Sequence, residues 1–295
     1  MATDIWVGTT DGDWATATNW SLGTVPVPAD DVVIGSQYTT ALTASDASGT
    51  NLTSLTIGKG YGDTLGSIAV GLDITAMQIA ATTVNLACSN VTYMDVKDNG
   101  TTEVNITKAA ASPGTGLYGL HLTSTDACEE LNVNLDNAQS LGVAALSGTT
   151  ANFTVVNIDG EGTVTLGSGL TCPTVKIGGT GTVYLYPAVS TALTVVGSPT
   201  VYLMGTGTIA ALNMHGGTVV PMSTMTITLL SVFGGTFDGT QTGKGYTVSE
   251  CKRYGGTVDD SDQRGTWTDG ADNYGSDDGG IKFGSNINVK PSAIA

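Results

Sequence analysis

Charge is scarce in this sequence. Of 295 residues, 12% are Asp, Glu, Lys or Arg, about half the roughly 25% usual for a soluble domain. Basic residues are the scarcer sign: 10 Lys and Arg stand against 26 Asp and Glu, a formal charge of −16. Such a surface repels phosphate and argues against a nucleic-acid partner. Histidine occurs twice, at His121 and His215, so base-activated nucleophilic chemistry has few places to stand. The four cysteines, Cys88, Cys128, Cys172 and Cys251, form no CxxC, which argues against zinc and thiol-redox motifs and for small reduced core residues. No apolar run approaches the length a spanning helix needs, so no membrane span is expected. The N-terminus has neither the basic start nor the apolar centre of a signal peptide. Residues that build helices are scarce as a group, which excludes a helical bundle.

What is abundant is threonine, the commonest residue type, and glycine, with Gly at 41. With Val they predict an all-β chain of short strands and tight turns. From about residue 150 the strands repeat. Gly162-Thr163-Val164-Thr165-Leu166 is followed by Gly181-Thr182-Val183-Tyr184-Leu185 and Pro199-Thr200-Val201-Tyr202-Leu203. Gly217-Thr218-Val219, Gly235-Thr236-Phe237 and Gly256-Thr257-Val258 continue the series. The threonines of these motifs, Thr163, Thr182, Thr200, Thr218, Thr236 and Thr257, keep a nearly constant step. A second set, around Ile158, Ile177, Val196, Met214 and Leu229, lies between them.

A coil that must return the chain above its own start keeps such a period. The spacing therefore predicts a single-stranded right-handed parallel β-helix, with coils of about 18–21 residues and capped ends; the handedness follows the crossover rule. Val, Ile, Leu, Tyr and Met point inward, Thr, Asn, Lys and Ser outward, and Gly turns the corners. An antiparallel meander is the competing arrangement. Tyr184, Tyr186 and Tyr202 form a ladder at one-coil spacing, on the inside or the outside. The first half alternates as strands should, around Leu55, Val84, Val104 and Leu131, with longer excursions between coils.

Composition divides the chain into residues 1–35, 36–258 and 259–295. The first segment holds Trp6, Trp14 and Trp20 and reads as an N-terminal cap over the open end of the apolar column. The middle is the β-helix. The last loses the repeat and is polar and acidic, with Asp259, Asp260, Asp262, Asp269 and Asp272. It reads as a second cap or an extended docking arm, with Trp267, Tyr274 and Phe283 as its contact residues. Its acids match neither the EF-hand loop nor the calcium-binding nonapeptide, so a solvated acidic surface is expected there.

Within the coils the acids are few: Asp159, Glu161, Asp238 and Glu250. Asp159 and Glu161 could face one way as a hydrolase pair, but Ile158-Asp159-Gly160-Glu161-Gly162 reads more simply as a turn. Lys176 is the one basic residue between Lys108 and Lys244, which is poor material for a lyase groove. No catalytic residue, metal site or cofactor is expected, and the chain reads as a non-enzyme.

Two segments resemble known sequences. The opening pattern, Trp6-x-Gly8, Gly12-x-Trp14, Asn19-Trp20, Gly23, Pro26 and Asp31-Val32-Val33-Ile34, resembles the start of β-solenoid surface proteins, including autotransporter-like passengers. The stretch from Leu52 through Lys59-Gly60-Tyr61-Gly62 to Ser67, followed by Leu72-Asp73-Ile74, is similar to a recurring segment of tailed-phage virion structural proteins of the head decoration and cement type. Together they cover about residues 5–75. The resemblance implies a structural protein of a phage virion, and the acidic surface, which would not bind packaged DNA, argues for a decoration or cement protein on the outside of the capsid. Its partners would be the major capsid protein or other virion proteins, it would form a homo-oligomer, with a trimer as the guess, and it would be assembled in the host cytoplasm. A carbohydrate-binding or glycan-cleaving tail fibre or tailspike, and a bacterial surface adhesin, are the alternatives.

Overall fold

The computed structural model describes residues 2–42, 46–58, 61–63, 67–68, 74–75, 77–87, 92–96, 103–107, 120–123, 128–136, 139–145, 150–187, 189–241, 245–269, 271–275, 280–283 and 289–291. The chain is an all-β parallel β-solenoid. It divides into two compact units, Met1–Thr154 and Val155–Ala295.

In the second unit the repeated Thr-Val-x-Leu pattern forms a ladder of parallel strands. Thr163–Leu166, Thr182–Leu185 and Thr200–Leu203 pair in unbroken register. The ladder continues through Thr218, Thr236 and Thr257. Because side chains alternate along a strand, one face of this ladder is a column of Val164, Val183, Val201, Val219, Phe237 and Val258, all buried. The other face is a row of half-exposed threonines. A second ladder stacks Val156, Val175, Leu193, Leu212, Leu230, Cys251 and Ala271 inward. A third stacks Ile209, Ile227 and Val248 under a second threonine row, Thr208, Thr226, Thr247 and Thr266. All three faces occur within one strand, Gly207–Pro221, whose register shifts on both sides of His215 mark a corner. Each aliphatic side chain moved from water into such a column contributes about 1.5–3 kcal/mol.

The first unit uses the same construction with a looser period. Thr3, Asp31, Ser54, Thr83, Glu103 and Glu130 stand on successive parallel rungs, at steps longer and less even than those of the second unit. More chain therefore lies between successive rungs, part of it paired in parallel elsewhere, as in Thr92–Val96 and Leu120–Thr123. This is why the repeat is faint in the first half of the sequence. Outward, Thr56, Asn85, Asn105 and Asn132 stack on successive rungs, and each asparagine amide donates to the rung below at 3.0–3.3 Å.

The parallel arrangement rules out the antiparallel meander. Antiparallel contacts include the small pair Ser67–Ile68 with Ile74–Thr75 and a Trp6–Trp20 bridge. Ala17–Asn19 is a short helical turn of the 3₁₀ type. Parallel pairing also runs across residues 35 and 258, where the composition changes. Asp31–Ile34 pairs with Ser54–Ile57, and Val258–Asp260 pairs with Ile281–Phe283.

Corner geometry yields a test. Gly179 has φ +71°, and a Cβ there would overlap the Gly160 carbonyl oxygen of the coil before it. Gly23 has nearly the same φ, +70°, but open space around it. Gly23→Ala should lose only the left-handed penalty, about 1–2 kcal/mol. Gly179→Ala must also push neighbouring coils apart, and urea denaturation should show it costing clearly more than Gly23→Ala. Equal losses would mean that coil-to-coil contact does not set the glycine requirement.

Candidate functional site

The two acids that could form a hydrolase pair, Asp159 and Glu161, sit at an exposed turn. Asp159 and Glu161 are both exposed, and the Asp159 carboxylate accepts the Gly160 amide at 2.8 Å, a turn contact. Asp238 accepts the Thr240 amide and hydroxyl at 3.0 and 2.6 Å, again within a turn. Glu250 bridges Lys252 at 2.7 Å on the surface. His215 is exposed and stacks on Phe233; the side chain of His121 lies outside the described residues. Among the described residues no group of three or more His, Cys, Asp or Glu is placed to hold a metal ion. Cys128, Cys172 and Cys251 are buried and free; Cys88 lies outside the described residues. Burial pushes the three thiols up, to about 11 for Cys128 and about 12 for Cys172 and Cys251, so none is a thiolate nucleophile at neutral pH.

The structure concentrates its unusual chemistry where the aliphatic columns end. In the first unit the column Leu131, Val104, Val84, Leu55, Val32 terminates in Asp4, which is buried. One Asp4 oxygen accepts the Ile5 and Leu22 amides and the Ser21 hydroxyl at 2.9–3.1 Å. Residues 19–22 thereby lie along the outer edge of Thr3–Ile5, where the Ser21 amide also bonds the Ile5 carbonyl at 2.9 Å. Trp6, Trp14 and Trp20 form one buried cluster beside this edge. Trp20 meets Trp6 edge-on at 5.1 Å and Trp14 at 4.5 Å. The Trp6 and Trp20 indole N–H groups donate to the Thr40 and Trp14 carbonyls.

In the second unit the departures are Arg253 and Asp260. Arg253, 1% exposed, follows Ile177, Val195, Met214 and Val232 in one inward column. Its guanidinium donates to the Gly256 carbonyl at 2.8 Å and to Asn273 at 2.9 Å. Asp260, fully buried, accepts the Arg264 and Gly265 amides and the Trp267 indole N–H at 2.9–3.2 Å. Trp267 packs edge-on against Phe237 and Tyr246. Burial first, then the Asp260 carboxylate, pushes the Tyr246 phenol well above its ordinary range. Asp260 therefore puts a hydrogen-bonding group at an inward position just after residue 258, whereas Ala271 keeps its inward position apolar.

Of the other residues singled out in the sequence, Tyr274 lies on the outside, stacked on Tyr254 at 5.1 Å. Phe283 ends a strand paired with Asp260, and its side chain lies outside the described residues. Tyr184 and Tyr202 stack at 5.0 Å on the outer face, so that ladder is not in the core. Of the acidic tail, Asp259 accepts Lys282 at 3.2 Å and Asp262 faces Arg264 at 3.9 Å; Asp277 and Asp278 lie outside the described residues. Sequence reasoning misses Asp4, Arg253 and Asp260 as buried groups. It also misses an aromatic row, His215, Phe233, Tyr254 and Tyr274, although each precedes a glycine at coil spacing.

Comparison with protein-family models, with curated proteins and with solved structures finds no match.

The column ends can be probed separately. Asp260→Asn would turn an amide donor toward donors already in place. It should destabilise the protein by about 2–3 kcal/mol in urea; an unchanged midpoint would show that the carboxylate does not organise this end. In the first unit, the Asp13 amide and the Asn19 carboxamide hold the Asp11 carboxyl below its usual pKa. The Val27 and Ala2 amides do the same for Asp30. With folded pKa values depressed, their stabilisation is complete above the unfolded value of about 3.9 and is lost as pH falls through the folded values. Tryptophan fluorescence of a Trp267→Phe variant should stay constant from pH 7 to about 5 and change below about 4. A transition near neutrality would contradict this assignment.

Proposed function

We propose that the chain is a non-enzymatic structural protein of a tailed-phage virion, set on the outside of the capsid as a decoration or cement protein. The observation that supports this reading is the outer surface of the coils. Threonines and asparagines stand in rows, and the asparagines already bond to one another. Asp159 and Asp238 are engaged in turns and Glu250 in a surface ion pair. Such a surface suits many weak protein contacts multiplied over copies. The likeness of residues 5–75 to phage and autotransporter-like solenoids supports the origin. The partners on this reading are the major capsid protein or other virion proteins, and copies of the chain associate side by side as trimers. The net charge of −16 keeps the protein off packaged DNA and anionic membrane. The location is the virion surface, after assembly in the host cytoplasm.

The tailspike reading has one observation in its favour, the exposed rings of Phe233, Tyr254 and Tyr274. Those rings are stacked on one another within 4–14° of parallel, so the faces on which a sugar would lie are largely occupied.

Cryo-electron microscopy of the virions, with this chain traced into the density, tests the proposal. The expected result is solenoid density on the outer capsid, together with no binding on a glycan array and no release of reducing sugar. Density confined to the tail, an envelope-anchored chain or specific glycan cleavage would each replace it.

A further inference from the structure

One corner of the second unit carries an aromatic side chain on four successive coils: His215, Phe233, Tyr254 and Tyr274. Neighbouring ring centroids are 4.7, 4.8 and 5.1 Å apart, at interplanar angles of 3°, 4° and 14°. The spacing is that of parallel rungs, about 4.8 Å, so the backbone dictates the stack. The Tyr274 amide donates to the Arg253 carbonyl at 2.7 Å, and the Tyr254 amide to the Val232 carbonyl at 2.7 Å. Phe233, Tyr254 and Tyr274 are nevertheless 46%, 44% and 48% exposed. Each ring thus covers its neighbour's face and shows an edge to solvent. Phe233 shields one face of Tyr254, and the phenol that meets its other face is Tyr274.

We propose that Tyr254 and Tyr274 form an oxidative coupling site, where a one-electron oxidant of the peroxidase and hydrogen peroxide class joins them into a dityrosine that staples two consecutive coils. Each phenol gives up one electron and its hydroxyl proton, leaving a tyrosyl radical with spin on the ring carbons ortho to oxygen. One ortho carbon of each ring forms the new C–C bond. The hydrogens on those carbons then shift to the oxygens and restore two phenols. The net loss is two electrons and two protons, which reduce one hydrogen peroxide to two waters. The fold supplies proximity, which makes the coupling intramolecular. The open outer side of the corner lets the rings turn from face-to-face to edge-joined. Tyr184 and Tyr202 stack as closely, at 5.0 Å and 10°. They stand in mid-strand, half-buried and in fixed register, and lack both the access and the freedom to turn.

The test treats the folded full chain with peroxidase and hydrogen peroxide, and in parallel with a small ruthenium and persulfate photo-oxidant, followed by digestion and mass spectrometry. The expected product is a cross-link between the peptides carrying Tyr254 and Tyr274, lighter by two hydrogens, fluorescent as dityrosine and formed in a yield independent of protein concentration. Tyr274→Phe keeps the ring stack and should abolish that product. No cross-link with either oxidant, a yield that rises with protein concentration, preferential coupling at Tyr184, Tyr186 or Tyr202, or the same yield from urea-unfolded chain would each overturn the assignment.

Discussion

Every coil of this protein must close onto the one before it with its backbone hydrogen bonds in parallel register. That requirement is satisfied only if successive coils place equivalent residues at equivalent points, so like comes to stand on like. Val164, Val183, Val201 and Val219 form a buried column for the same reason that Thr163, Thr182, Thr200 and Thr218 form a surface row. A β-branched side chain suits both positions. On the inside it packs without polar atoms. On the outside its hydroxyl keeps the row wet while its methyl packs against the neighbouring rungs.

The requirement creates a difficulty wherever a column stops, since an apolar column would there face water and strand edges would lie unpaired. Polar residues placed at inward positions answer it. Asp4 heads the first unit's column, and Arg253 and Asp260 interrupt two inward columns of the second, one rung or more before the strands paired beyond them. A buried charge without partners is costly. Here each one organises a loop: Asp4 takes the amides of residues 5 and 22, Asp260 those of residues 264 and 265, and Arg253 binds the Gly256 carbonyl and Asn273. Each charge therefore ties to its unit a segment that the ladder alone would not hold.

These two levels differ in how far the sequence displays them. The solenoid of the second unit is visible because threonine recurs at a nearly constant step and alternates with aliphatics. The first unit is harder to read, because its steps are longer and less even, which blurs the period. Arg253 and Asp260 are not legible, since a charged residue in a polar, acidic tail looks like solvent-exposed surface. Only the register, which sets Arg253 beneath Val232 and Asp260 beside Trp267, shows them turned inward. The aromatic row is in plain view as an aromatic followed by glycine at each corner. It escapes notice because the ring changes from His to Phe to Tyr between coils.

Stacking like on like also limits what the surface can do. An asparagine amide bonded to the asparagine below it, or a ring face laid on the next ring, has less left to offer a ligand. Recognition is therefore to be sought where a row breaks or where a stacked group keeps a free edge. The row Val196, His215, Phe233, Tyr254 and Tyr274 is such a place, since it changes chemistry from coil to coil while its ring edges stay exposed. The threonine rows do not change, so what they offer is a weak contact repeated from coil to coil. The functional individuality of a solenoid lies in its departures from repetition.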